Sequence, residues 1–203
     1  MLKVFYNIII LITIPLNLAS QNTTVKTDSS DFGKMINNYS QNLSFLISNN
    51  LSDDYIIRFI AHPSFDPEYA FQIKKTDNSS YEISTIAFKE NIWYATNLDY
   101  VVKSINRRNI SKKITLEIDT LFNVFIDSLS SIGTPISGDI TYHLISKSNN
   151  KIKFIAINLR ENTHMLIIEI CELLMKYAED VIIDEIEIQK KIDSLLLFIL
   201  NKN

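Results

Sequence analysis

The apolar residues of this chain follow two different periodicities, and the order in which the two alternate limits the folds open to it. In one set of segments apolar side chains recur every three or four residues, as on one face of a helix. In the other set, short runs of aromatic and β-branched residues are bounded by Pro, Asn, Asp and Ser, which is typical of strands. The helical segments are 32–50, 111–129, 163–177 and 184–200.

Two groups of strands separate these helices. The strand segments are 55–61, 69–75, 81–88, 140–145 and 152–157. The short runs at 92–95 and 98–105 are expected to continue the sheet, although 98–105 could instead begin a helix. The order α-βββ(β)-α-ββ-α-α predicts an α+β fold in which an antiparallel sheet is covered by helices. This element order is similar to that of bacterial secretion chaperones, a likeness of arrangement that covers residues 21–203 and involves no shared motif.

The first twenty residues have the layout of a secretory signal peptide. Lys3 precedes an apolar run at 8–14, and the small residues Ala19 and Ser20 provide a cut after either one. The run is shorter than the roughly 20 apolar residues of a membrane-spanning helix. We therefore expect a signal peptide at 1–20, a flexible arm at 21–30 and a single domain at 31–203, in a secreted or periplasmic protein. The alternative is a leader retained as an anchor, because neither cut has a small residue two places before it.

Composition limits the kinds of partner that such a domain is expected to bind. The net charge of −3 is too mild and mixed to indicate nucleic acid, and no stable membrane span is expected after signal cleavage. Cys171 is the single cysteine, so no intramolecular disulfide is predicted. Because Ile167, Cys171 and Leu174 share one apolar helical stripe, we expect a buried thiol. Crosslinking of two copies through Cys171 is the alternative.

The segment 133–138 has the glycine spacing of a phosphate-binding loop. The lysine that should follow its second glycine is Asp139, and a predicted strand follows where the motif needs a helix. With three glycines in the chain, no dinucleotide-binding fingerprint forms either. The sequence therefore gives no reason to expect a nucleotide or another cofactor.

The three histidines are His62, His143 and His164, and no two of them have the close spacing of a metal-binding pair. Asp139, Thr141 and His143 share one face of a predicted strand, where the imidazole would be oriented as a base or ligand. Because the opposite face is apolar, we expect this polar face to be the solvated side of a hairpin. His62 is expected in a turn at 61–67.

Two surface features remain as binding candidates. A basic cluster, the candidate anion-binding site, spans the start of the helix at 111–129 and consists of Lys103, Arg107, Arg108, Lys112 and Lys113. Aromatic residues concentrate in the first group of strands, where either core packing or an exposed docking face would use them. The aromatic residues are Tyr69, Phe71, Tyr81, Phe88, Trp93, Tyr94 and Tyr100.

Taken together, these features favour an exported, noncatalytic binding domain of the cell envelope or exterior. Its expected partner is a protein, a peptide, a glycan or a second copy of this chain, bound on the face of the sheet. The alternative is a small hydrolase or metal-dependent enzyme whose site is assembled around His143, Asp139 and His62.

Overall fold

A computed structural model describes residues 31–63, 66–129, 140–147, 153–157, 162–179 and 182–200. The helices of this part are α1 (Asp31–Asn50), α2 (Lys112–Leu129), α3 (Asn162–Ala178) and α4 (Glu185–Leu200). The strands are β1 (Ile57–Pro63), β2 (Tyr69–Lys75), β3 (Tyr81–Phe88), β4 (Val102–Ile110), β5 (Ile140–Ser146) and β6 (Lys153–Ile157). The predicted signal peptide at 1–20, the arm at 21–30, the segment 133–138 and Asp139 lie outside the described residues.

The strands form one antiparallel sheet in the order β4-β3-β2-β1-β5-β6. The predicted α+β class and the predicted order of elements are confirmed. Strand β1 comes first in the sequence but lies inside the sheet, since β5 pairs with its free edge after the crossover through α2. Phe59 of β1 is thereby opposite Phe71 of β2 on one side and Leu144 of β5 on the other.

The strand predicted at 92–95 is wrong. These residues form a turn in the connection between β3 and β4, and a 3-10 turn follows at Leu98–Tyr100. The Asn91 side chain holds the first turn, because its amide nitrogen donates to the carbonyl of Asp66 at 2.9 Å and its oxygen accepts from the Trp93 amide at 2.9 Å. A side chain bonded to nearby backbone in this way competes with strand pairing.

Alternating residues of the sheet enter two separate cores. On one face, apolar residues of β1, β2, β3 and β5 pack under α2, α3 and α4, with α4 lying against both α2 and α3. On the other face a smaller core forms beneath α1 and the β3–β4 connection. This second core consists of Leu43, Leu46, Ile47, Leu51, Tyr55, Ile60, Ala70, Ile86, Phe88, Ile92, Val101 and Ile145.

Local sequence explains where the helices begin and what they bury. Ser111 caps α2, because its hydroxyl accepts from the amide of Ile114 at 3.3 Å. Cys171 is buried on the inner stripe of α3, as predicted, and burial raises the pKa of its thiol well above the usual value.

Within the described ranges, no helix combines the length and the apolar character needed to cross a membrane.

Candidate functional site

Two of the three histidines meet on the face of the sheet that α1 covers. His62 of β1 is opposite Thr141 of β5, and His143 of β5 is opposite Ile60 of β1. The two histidines are therefore diagonal neighbours on the same face. Their ring centroids lie 4.2 Å apart, with 45° between the ring planes.

Helix α1 contributes a tyrosine to this histidine pair. The Tyr39 hydroxyl and Nδ1 of His62 form a hydrogen bond of 3.0 Å. The Tyr39 ring also packs against Trp93 of the β3–β4 connection, with 5.3 Å between centroids. One turn further along α1, Leu43 enters the smaller core. The same helical stripe thus supplies an apolar anchor and a polar contact to the histidine pair.

A carboxylate completes the group. One oxygen of Glu68 accepts a hydrogen bond from the backbone amide of Ile92 at 2.9 Å. Burial raises the pKa of Tyr39, and the charge of Glu68 and a hydrogen bond to it raise that pKa further. Glu68, Tyr39, His62 and His143 therefore form a continuous chain of polar contacts, which we call the histidine cluster.

Burial sets the charge state of both imidazoles. It lowers the pKa of His62 to about 4, and it lowers the pKa of His143 well below the usual value, with the neighbouring His62 acting in the same direction. Nε2 of His62 is buried and has no hydrogen-bond partner among the described residues. Both rings are consequently neutral at pH 7 and are weaker bases than an exposed histidine.

The structure corrects two expectations about these residues. The face of β5 that carries His143 is not solvated, since His143 is only 2% exposed and Ile145, on the same face, belongs to the smaller core. His62 is not in a turn, because β1 continues through Pro63. Asp139, the third residue of the predicted enzyme site, lies outside the described residues. Over the part of the chain that the structure covers, no group of three or more His, Cys, Asp or Glu side chains could hold a metal ion.

Sequence reasoning missed two members of the cluster. The helical stripe of α1 placed Tyr39 inward, but nothing in the sequence indicated a histidine as the partner of its hydroxyl. Glu68 follows Pro67 in a connection with no periodicity and carried no signal. His164 lies apart from the cluster, partly exposed, with its ring edge-on to Phe125 at 5.7 Å between centroids.

The basic cluster does not form one site among its described side chains. Arg107 and Arg108 are adjacent on β4 and so project to opposite faces of the sheet. The Arg108 guanidinium lies 4.0 Å over the ring of Tyr177 and donates to the carbonyl of Tyr177 at 2.8 Å. Arg107, Lys112 and Lys113 are exposed, and the side chain of Lys103 lies outside the described part.

The aromatic residues divide into two groups. Phe71, Tyr81 and Phe88 are buried in the two cores, as the packing interpretation predicts. Tyr94 and Tyr100 are 62% and 69% exposed on the β3–β4 connection, beside the half-buried Trp93. Tyr69 is partly buried against the larger core. Of the seven aromatic residues predicted to mark the first group of strands, the exposed ones are thus confined to the segment that leads into edge strand β4.

A second buried polar group was not predicted from the sequence. Arg58 of β1 is opposite Gln72 of β2, and its guanidinium donates to the Gln72 side-chain oxygen and to the carbonyl of Ser52, both at 2.7 Å. The Tyr55 ring contacts Arg58 at 3.9 Å and the ammonium of Lys147 at 3.8 Å. Burial lowers the pKa of Arg58. This group fixes the end of α1 to the sheet rather than forming an open site.

Fold and site together define an α+β domain with a helix-covered antiparallel sheet and a buried histidine cluster. Comparisons with protein-family models, with curated proteins and with solved structures gave no match for this chain. The similarity to secretion chaperones in the order of elements stays a prediction.

Proposed function

We propose that this chain is an exported, noncatalytic binding domain that takes up an extended peptide along strand β4. The observation that carries the proposal is the position of β4, a nine-residue strand at the edge of the sheet. An edge strand presents a row of backbone donors and acceptors to which a peptide can add as a further strand.

The faces of the sheet are poorer candidates than this edge. Helices cover one face, and α1 with the β3–β4 connection covers the other over β1, β2 and part of β3. The sequence predicted binding on the face of the sheet. Because both faces are largely covered, we propose binding at the edge instead. At the opposite edge, β6 is shorter, with five residues.

Side chains near β4 indicate what kind of peptide would bind. Tyr94 and Tyr100 expose large amphipathic rings in the segment before the strand, and such rings are enriched in protein interfaces. Ile105, Arg107 and Asn109 alternate along one exposed face of β4. An extended peptide whose acidic side chain meets Arg107 fits this surface, with Lys112 and Lys113 adding positive charge beyond the end of the strand.

The test uses two fluorescent peptides of equal length with alternating valines, one carrying glutamates and the other lysines. We expect the acidic peptide to bind at least tenfold more tightly in an anisotropy titration. The substitutions Arg107→Glu and Tyr100→Ala should each weaken binding by about tenfold, a typical effect for an interface anchor. Bound peptide should also slow hydrogen exchange of the β4 amides, because strand addition protects them.

Matched substitutions elsewhere control this experiment. Lys176→Glu makes the same charge change at an exposed position of α3, and Phe45→Ala removes an exposed ring of α1. Neither should change the affinity. Equal binding of the two peptides, or equal losses in the control variants, would contradict the proposal. Binding of a glycan that is lost in Tyr100→Ala without protection of β4 would also overturn it.

Export is part of the same proposal and has its own measurement. The support is the signal-peptide layout of residues 1–20, which is typical of proteins that are exported from the cytoplasm to be secreted or periplasmic. Mass spectrometry of the exported protein should find an N-terminus at Ser20 or Gln21. An intact chain that starts at Met1 and stays with the membrane fraction would instead indicate a retained anchor.

We propose a hydrolase as the second candidate, because His62 and His143 are in contact. The burial of His143 and the lowered pKa of both imidazoles argue against it, since a general base must reach its substrate and take up a proton. Hydrolysis of p-nitrophenyl acetate at pH 7.5 that is abolished by His143→Phe but retained in His164→Asn would favour it. Equal background rates in all three proteins would remove it.

A further inference from the structure

The histidine cluster lies at the joint between helix α1 and the sheet. Helix α1 covers its face of the sheet with Leu43, Leu46 and Ile47, and Tyr39 attaches it to His62. Each histidine is on a different strand; His62 contacts α1 through Tyr39, and His143 packs against His62. A change in the charge of this pair would therefore act directly on the contact between α1 and the sheet.

We propose that the His62–His143 pair is an acid-sensitive latch: when both imidazoles take up protons, α1 leaves the sheet and exposes the apolar surface that it covers. This surface includes Ile60, Ile86 and Ile145. The inference concerns a different part of the molecule from strand β4 and does not depend on peptide binding.

Repulsion between the two rings provides the driving force. Two imidazolium ions with centroids 4.2 Å apart repel each other more strongly here than in water, because His143 is buried and His62 is only partly exposed. The hydrogen bond to Tyr39 does not oppose this repulsion. The Tyr39 hydroxyl donates its proton to Glu68, so it can accept from Nδ1 of His62 whether that ring is neutral or protonated.

The other groups that face the pair modify this effect without cancelling it. Helix α1 contributes Tyr39, β5 contributes the neutral Thr141, and the β3–β4 connection contributes the neutral Trp93. Glu68 is the titratable group one hydrogen bond away, and burial raises its pKa. The folded state therefore binds a proton on Glu68 more tightly than the unfolded state does, so protonation of Glu68 stabilises the closed state. This effect of one group opposes the effect of the two histidines.

The sign and the pH window follow from the histidines. Their pKa is lower in the folded state than the unfolded value of 6.5, so the closed state is fully favoured above pH 6.5 and is weakened as the pH falls. For His62, whose pKa falls to about 4, the equilibrium constant for the closed state falls about 80-fold between pH 6.5 and pH 4. Protonation of His143 lowers the equilibrium constant for the closed state further.

The test follows Trp93, the single tryptophan, which packs on Tyr39 and so reports on α1. Its emission is recorded from pH 7.5 to pH 4, together with circular dichroism at 222 nm. We expect a red shift with a midpoint between pH 4 and pH 6.5, preceding any loss of ellipticity and coupled to a net uptake of protons, because the two histidines take up more than Glu68 releases. Emission and ellipticity that change together, or no change down to pH 4, would refute local release.

Variants separate the latch from general acid unfolding. His62→Asn keeps an amide group for Tyr39, and His143→Phe keeps a ring that cannot be protonated. The double variant should lose the transition, whereas the control His164→Asn should retain it. If the double variant does not fold, His62→Asn alone should reduce the net uptake by about one proton. An unchanged transition in His62→Asn, or its loss in His164→Asn, would overturn the proposal.

Discussion

The buried pair Arg58 and Gln72 offers the sharpest test of how this fold is held together. We expect Arg58→Met to lower the free energy of unfolding by about 2–3 kcal/mol. The guanidinium donates two hydrogen bonds of 2.7 Å, to Ser52 and to Gln72. Hydrogen bonds from a charged group contribute about 1.5–3 kcal/mol each to the free energy of unfolding. Part of this loss is offset in Arg58→Met, because the variant has no charge that must be desolvated on folding.

The double variant shows whether the partnership or the charge itself matters. Gln72→Leu alone should cost about 2 kcal/mol, because it leaves a buried guanidinium with one partner fewer. In Arg58→Met with Gln72→Leu, neither group is left unsatisfied. The double loss should therefore be smaller than the sum of the single losses by about 1 kcal/mol or more.

The assay is urea unfolding of all four proteins at pH 7.5, followed by circular dichroism. Equal slopes of the unfolding free energy against urea concentration would show that the comparison concerns stability alone. Strictly additive losses would refute the reasoning, since the two side chains would then act independently. A loss below about 0.5 kcal/mol in Arg58→Met, the size of an ordinary surface change, would do the same.

Two further predictions use residues whose burial differs sharply. On helix α1, Leu43 is fully buried and Phe45 is 56% exposed, so Leu43→Ala should cost about 2–4 kcal/mol in urea unfolding and Phe45→Ala at most about 0.5 kcal/mol. Equal losses would mean that α1 does not pack on the sheet as described. Cys171 is buried and its pKa is raised, so a thiol reagent should label the native protein about two orders of magnitude more slowly than the urea-unfolded protein. Equal rates would show that the thiol is accessible in the native state.

Periodicity was sufficient to predict the elements because each element buries one face of its own residues. Strands β2 and β3 have the predicted bounds, and the stripe of α2 enters the larger core at Ile114, Ile118 and Phe122. The error at 92–95 came from a short apolar run, in which Ile92 is buried by a turn rather than by strand pairing. Asn91, whose side chain holds that turn, gave no periodic signal.

The candidate site could be predicted only in part. The alternation along β5 correctly placed Tyr142 and Leu144 on the opposite face from His143. It could not tell which face was covered, because the cover is α1, about a hundred residues earlier in the sequence. Burial of His143 therefore depends on a long-range contact that a single strand does not encode.

The sequence alone determined the class of the fold, the order of its elements, the inward stripe of each helix and the buried position of Cys171, because these follow from local periodicity. Only the tertiary structure decided that β1 lies between β2 and β5, and this placement brings His62 to His143 and Arg58 to Gln72. The physical reason is that the register between strands distant in sequence is set by how the whole set of apolar faces is buried at once. No local run of residues contains that information.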